Sequence, residues 1–253
     1  MKHLPNLLTL ANLFFGCMAI VFALHTQPFI GQLNGEELWI AGNRELYYAG
    51  ICIAISAVCD LFDGMAARWL GVFSPLGKDL DSLADLVSFG VAPSMILMQL
   101  LWMGWMRSPN AIEISIWAVS PAFLVACFAA LRLARFNVAA ATTKYFVGVP
   151  TPAVGLVVAS FPFILLFNPI GIGNVLLQPW LIIGIVGLLC YLMVSNLRLF
   201  TLKFSNLQWK YNKAQWLWFI LTLAAIPFLK SLAAPFSFLL YLALSFAFKP
   251  ADS

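Results

Sequence analysis

The sequence predicts an all-α, polytopic membrane helix bundle of about eight transmembrane helices, and three observations carry that reading. First, 62% of the 253 residues are hydrophobic and only 9% are charged, with a mean hydropathy of +0.93. Soluble domains carry roughly 25% charged residues, so this set is too sparse to solvate a globular surface. Second, the apolar residues form runs near the length of about 20 residues that a spanning helix needs. Third, these runs lack the alternation of the roughly ten-residue strands of a membrane barrel, and helices are the other way to satisfy backbone polar groups in lipid.

In order, the runs predict spans near residues 7–24, 46–70, 82–104, 114–136, 150–167, 179–195, 215–229 and 232–248. The first follows Met1-Lys2-His3 but exceeds the h-region of a secretory signal, about 7–15 residues, and no A-x-A cleavage site follows it. Pro150, Pro152, Pro162, Pro169 and Pro179 bound and bend the fifth. The last two are short and crowded by Pro227, Lys230 and Pro235, so a re-entrant hairpin is an alternative for them. The chain reads as a single integral-membrane domain, 1–253, with a catalytic core of about 1–195 and two C-terminal helices. Cys17, Cys52, Cys59, Cys127 and Cys190 all fall inside apolar runs without metal-ligand spacing and read as small buried hydrophobes.

Charge placement orients the bundle. With the N-terminus in the cytoplasm, Lys2, Arg68, Lys78, Arg132, Arg135, Lys144, Arg198, Lys203, Lys210, Lys213 and Lys249 fall on one side, eleven of the 14 basic residues. Arg44, Arg107 and Lys230 fall on the other. The positive-inside rule then puts both termini in the cytoplasm, and the protein in the cell membrane. Because the basic residues are scattered singly, the net charge of +4 reads as topology and argues against a nucleic-acid partner. Positions 196–215 read as a cytoplasmic segment attracted to anionic membrane lipids.

All but one of the aspartates lie between residues 60 and 85. Carboxylates at membrane depth cost about 2.5–3.5 kcal/mol each on insertion scales, which makes them functional candidates. Asp60 and Asp63 are three apart and share a face at the end of the second span. Asp81 and Asp85 are four apart and share a face at the start of the third. The short connection predicts antiparallel neighbours and four converging carboxylates, with Arg68 and Lys78 as the nearby cations. An oxygen-only ligand set without His or Cys selects Mg²⁺, Mn²⁺ or Ca²⁺. The alternative is that these are helix caps and solvated loop charges. Gly64 and Ala67 leave space beside Asp63 for a bulky ligand, and Arg68 suits a phosphate oxygen. Asp79 points elsewhere and reads as an N-terminal cap or a partner for Lys78.

From Asp60 to Asp85 the chain reads D-x2-D-G-x2-A-R-x8-G-x3-D-x3-D, which resembles the signature of the CDP-alcohol phosphotransferase family without a departure. Leu4–Asn12, Leu80–Pro93, Arg132–Asn137 and Phe146–Ala153 are similar to the integral-membrane, serine-accepting branch of that family. The resemblance covers roughly residues 4–155 and implies transfer of the phosphatidyl group of CDP-diacylglycerol to L-serine, with release of CMP. It implies two divalent ions, Mg²⁺ or Mn²⁺, bridged by Asp60 and Asp81. Asp63 would complete one site, and Asp85 would complete the other and accept the serine proton. It further implies a CDP-diacylglycerol site along Asn6, Thr9, Gly64, Arg68 and Ser74, and a homodimer. For Asn6 and Thr9 a buried helix start explains the pattern equally well.

The serine carboxylate needs a cation, and Arg132 and Arg135, near the cytoplasmic end of the fourth span, suit a bidentate grip. The rival reading has them snorkel to lipid phosphates or fix topology. Lys144, Asn137, Thr151 and Ser88 are further polar candidates. Two other functions stay open. A different acceptor, giving phosphatidylglycerophosphate or phosphatidylinositol, would keep the aspartates, and a carboxylate-lined cation transporter would also place acids inside a bundle. No matching broken helices in the two halves support the transporter.

Overall fold

A computed structural model describes residues 3–26, 29–33, 36–40, 43–71, 74–107, 111–138, 146–167, 171–199 and 213–248. Lys2, Lys144, Lys203, Lys210 and Lys249 of the topology argument, and most of the 196–215 segment, lie outside the described residues.

The elements run α1 (Leu4–Leu24), α2 (Asn43–Leu70), α3 (Pro75–Leu86), α4 (Ala92–Trp105), α5 (Leu124–Val138), α6 (Thr151–Phe167), α7 (Ile172–Leu176), α8 (Pro179–Val194), α9 (Lys213–Leu229) and α10 (Ala233–Ala247). A two-stranded hairpin, β1 (Phe29–Leu33) with β2 (Glu36–Ile40), joins α1 to α2. A two-residue pair, β3 (Phe146–Val147) with β4 (Arg198–Leu199), ties the entry of α6 to the exit of α8. The bundle itself is helical, as the run lengths predict, and the strands are confined to connections.

Five helical stretches are long and apolar enough to cross a membrane: Leu4–Leu24, Arg44–Leu70, Pro75–Trp105, Ile116–Val138 and Lys213–Ala247. The first four match the first four expected spans. The fifth and sixth expected spans correspond to α6 and α8, shorter apolar helices of 17 and 16 residues. The last two are the arms of one helical run, broken at Lys230, whose φ of 47° leaves the helical region. Trp218 Nε1 donates to the Ser237 carbonyl at 3.0 Å, and the Thr222 and Ser237 hydroxyls are 3.1 Å apart. In a straight helix a separation of 19 positions spans about 28 Å, so α9 and α10 fold back on each other as a hairpin.

The rod Pro75–Trp105 is the innermost element, with ten of the fourteen residues of α4 buried. Ser74 caps its start by accepting the Gly77 amide at 3.0 Å, ahead of Pro75 in the first turn. Asp79, expected as an N-terminal cap or a partner for Lys78, is exposed within α3, and the cap is Ser74. Between α3 and α4 lies one π turn, Val87–Val91, in which the Ala92 amide donates to the Val87 carbonyl. Pro93 explains it: a proline ring in a regular helix clashes with the carbonyl four residues back, and the wider turn absorbs the clash. Two glycines press backbones against this turn. A β-carbon at Gly16 of α1 would collide with Ser88, and one at Gly155 of α6 would lie 2.9 Å from Phe89 Cδ1. Phe89 and Ser88 are accordingly fully buried. All five cysteines are free thiols.

Candidate active site

α1 carries a buried stripe of Pro5, Thr9, Asn12, Gly16, Ala19 and Ala23 at spacings of three and four. The small residues of that stripe let α2 approach closely, and the polar ones sit at the end where the carboxylates gather. α2 and α3 both pack most extensively on α1 rather than on each other. The antiparallel pairing expected of α2 and α3 is thus replaced by a three-helix junction with α1 as the wedge.

At this junction Asp60, Asp63 and Asp81 each present an oxygen, and the three oxygens lie within 4.8 Å of one another. Asp63 is buried and accepts the Thr9 hydroxyl on Oδ2 at 2.7 Å. Asp81 keeps Oδ1 buried without a hydrogen-bond partner among the described residues. Like charges this close repel strongly, and an unpaired buried carboxylate oxygen is costly. The group calls for a cation, and its donor set is all oxygen.

The cluster forms one wall of a cavity of about 460 Å³, lined by Pro5, Asn6, Thr9, Asp63, Gly64, Ala67, Ser74, Pro75, Gly77, Lys78 and Asp81. Asn6, Thr9, Gly64 and Ser74 are therefore brought together around one cavity. Gly77 gives the cavity a tight wall, since a β-carbon would lie 3.2 Å from Asn6 Oδ1 and 3.0 Å from Ser74 Oγ. Arg68 is exposed and lies outside this lining, with its guanidinium packed over Gly64 one turn below.

Asp85 stands apart from the group of three. It lines a second cavity of about 220 Å³ with Ser82, Arg132, Leu133, Phe136, Asn137 and Thr151, and Lys78 and Asp81 line both cavities. Asp85 accepts Asn12 Nδ2 at 3.2 Å on Oδ1. Arg132 is 8% exposed, holds Thr151 Oγ1 at only 3.5 Å through Nη1, and keeps Nε buried without a partner among the described residues. Arg135 is exposed and does not line this cavity. Lys78 Nζ donates to the Asn137 carbonyl at 3.1 Å, and Asn137 Nδ2 donates to Ser82 Oγ at 2.8 Å, which stitches α3 to the end of α5.

Two residues gain a place here that the motif alone does not assign. Asn12 touches Asp85 directly, and its signal in the sequence is the recurrence of polar residues at 6, 9 and 12. Lys78 sits between the cavities, where its proximity to Asp79 and Asp81 in the chain suggested only charge compensation.

The model of the family described as CDP-alcohol phosphatidyltransferase matches residues 2–191. The chain belongs to that family. It is 32% identical over 200 residues to a CDP-diacylglycerol–serine O-phosphatidyltransferase of Bacillus subtilis, covering 78% of this chain and 90% of the relative. A protein of the same name from Helicobacter pylori is 35% identical over 198 residues, 77% of this chain and 70% of the relative. One from Saccharomyces cerevisiae is 34% identical over 159 residues, 59% and 50% of the two chains.

This phosphatidyltransferase is thus an enzyme of phospholipid synthesis, and both cavities lie within the matched region. The α9–α10 hairpin lies beyond it, yet Tyr241 of α10 is 4% exposed and within electrostatic reach of Arg132.

Proposed function

We propose that the protein is a phosphatidylserine synthase, transferring the phosphatidyl group of CDP-diacylglycerol to the hydroxyl of L-serine and releasing CMP. The observation that carries this reading is the shared wall. A large cavity lined by Asp63 and Asp81 of the three-carboxylate cluster meets a smaller one holding a buried carboxylate and a buried arginine whose Nε has no partner among the described residues, and Asp81 and Lys78 belong to both. The names of the relatives from Bacillus subtilis and Helicobacter pylori support the choice of serine.

The larger cavity suits the cytidine diphosphate headgroup. Asn6, Thr9, Gly64 and Ser74 flank it, the N-terminal end of α3 adds partial positive charge, and Lys78 supplies a full one. Arg68 reaches phosphate from the rim. The acyl chains stay in the bilayer, beside exposed apolar residues of α1 and α2 such as Leu10, Phe14, Leu61 and Met65.

The donor set fits Mg²⁺ or Mn²⁺: all ligands are carboxylate oxygens, and Asp81 Oδ1 has no other partner among the described residues. Asp60, Asp63 and Asp81 would hold the metal, and Asp85 would be the fourth ligand of a two-ion site. When bound, the ions neutralise charge developing on the phosphoryl oxygens.

In the smaller cavity Arg132 binds the serine carboxylate with the help of Nε, which has no partner among the described residues. Asp85 takes the hydroxyl proton as the serine oxygen forms its bond to phosphorus. The bond from phosphorus to the CMP oxygen breaks, and CMP leaves with the electron pair. The reaction runs at the cytoplasmic face of the cell membrane, the side favoured by the basic residues, and the working unit is a homodimer.

The experiment is CMP release from CDP-diacylglycerol by the purified protein in detergent with Mg²⁺ or Mn²⁺, offering serine, glycerol 3-phosphate and inositol in parallel. Release that depends on serine supports the proposal. Release with another alcohol retains the aspartate chemistry and discards the acceptor, and no release with any of the three overturns the reading.

A further inference from the structure

Asn12 is fully buried in the middle of the stripe that α1 turns inward. The stripe continues beyond it as Gly16, Ala19 and Ala23, so packing alone would be served by a small apolar residue. An asparagine here leaves its Oδ1 buried without a partner among the described residues. Buried amides with an unsatisfied oxygen are costly, and one retained in a helix core has work that offsets the cost.

Its other amide atom identifies that work. Nδ2 lies 3.2 Å from Asp85 Oδ1, and a carboxylate only accepts, so the amide must turn its N–H groups toward Asp85. The support behind the amide is rigid. The Asn12 carbonyl receives the Ser56 hydroxyl of α2 at 2.9 Å and the Ser88 hydroxyl of the π turn at 3.0 Å. Gly16, one turn on, is pressed against Ser88. The backbone that carries the amide is therefore tied to the turn immediately after Asp85, and also to the helix that carries Asp60 and Asp63.

We infer that Asn12 is a positioning residue for Asp85: its amide holds Oδ1, so that Oδ2 is the oxygen presented to the acceptor cavity beside Arg132 and Thr151. This inference rests on the proposed role of Asp85 as the proton acceptor. Asn12 itself touches neither substrate. At saturating Mn²⁺ its loss should therefore slow the proton transfer without weakening the binding of either substrate.

The test is steady-state CMP release by the purified protein with Mn²⁺, varying serine and CDP-diacylglycerol separately, for Asn12→Leu, Asn12→Ser and Asp85→Asn. Leucine keeps the branched shape and removes the donor, and serine keeps one donor. Folding is monitored by the elution profile and the thermal midpoint; the Ser56 and Ser88 hydrogen bonds go to the backbone and survive both substitutions. The expected result is a kcat about 10–100-fold lower for Asn12→Leu, the range typical of lost supporting hydrogen bonds, with both KM values held. Asn12→Ser should recover part of that loss. If Asn12→Leu does not fold, Asn12→Ser carries the test through an intermediate loss of kcat at unchanged KM. A rise in KM for CDP-diacylglycerol at constant kcat would overturn the inference by assigning Asn12 to the nucleotide site, and unchanged kinetics in both variants would overturn it outright. Asp85→Asn separates the two readings. If it retains turnover, the role of Asp85 falls and the inference falls with it. If it is inactive while the Asn12 variants behave normally, only the inference is lost.

Discussion

The hydroxyl of Thr9 stands 2.7 Å from Oδ2 of Asp63 and 3.0 Å from the carbonyl oxygen of Pro5. It shares one proton between an acceptor on its own helix and a carboxylate 54 residues away. α1 contributes no acid to the cluster, yet it orients Asp63 through Thr9 and Asp85 through Asn12. Outer groups of this kind set the direction in which a ligating carboxylate points.

Thr9→Val keeps the shape of the side chain and removes the hydroxyl. It should lower the affinity for Mn²⁺ by about 10–100-fold, the usual effect of losing a supporting partner. Electron paramagnetic resonance of free Mn²⁺ against protein concentration reads this directly. Unchanged affinity would mean that Thr9 serves only to bond the Pro5 carbonyl within α1.

Asp81 supports a sharper expectation, because its Oδ1 has no partner among the described residues and the residue faces both cavities. Asp81→Asn replaces a charged ligand by a neutral one in a group whose oxygens lie within 4.8 Å. Mn²⁺ affinity should fall at least as far as in Thr9→Val, and CMP release should be lost even at millimolar metal. If the variant binds Mn²⁺ as the parent does, the three-carboxylate cluster is not the metal site.

Much of this site was legible in the sequence because its signal is local. Asp60 with Asp63 and Asp81 with Asp85 fall on common faces by helical spacing alone, and Gly64, Ala67 and Ser74 line the cavity that the motif implies. What was not legible depends on the third partner. The short connection between α2 and α3 suggests that they pair, but chain connectivity says nothing of α1 entering between them, so Asn12 carried no argument beyond its interval from Thr9. Asp79 was expected to cap α3 or to partner Lys78, whereas Ser74 with Pro75 forms the cap. The π turn at Val87–Val91 shifts α4 relative to α3, and Pro93 signals a disturbance there without giving its form. The count of eight spans rested on run length, which does not distinguish two separate helices from the folded arms of Lys213–Ala247.

Arg132 and Arg135 looked equivalent in the sequence, one helical turn apart on α5, and burial separates them. Arg132 lines the acceptor cavity with Nε unpartnered among the described residues, while Arg135 is exposed. Arg132→Lys preserves a charge but loses the planar fork, and should raise the KM for serine at least about tenfold, the equivalent of one charge-assisted hydrogen bond of about 1.4 kcal/mol. Arg135→Ala should leave that KM within about twofold, as expected of a solvated surface charge. Equal increases in both variants would remove the carboxylate role from the cavity.

The closest backbone approach next to the site gives a prediction about stability. A β-carbon at Gly16 would lie 2.9 Å from Ser88 Cα, a backbone atom that cannot rotate away, so Gly16→Ala must push α1 off the π turn. Overpacking of this kind costs about 1–3 kcal/mol. The displacement also strains the Ser88 hydroxyl's bond to the Asn12 carbonyl, three residues after Asp85, so activity should fall together with the thermal midpoint. Gly184 of α8 provides the control. Nothing lies within 4 Å of a β-carbon there, and alanine in a helix interior is favoured over glycine by about 0.5–1 kcal/mol. Gly184→Ala should hold or raise the midpoint and leave CMP release unchanged. If Gly16→Ala behaved like Gly184→Ala, α1 would not be seated tightly on the turn, and its role as the template for Asp63 and Asp85 would have to be abandoned.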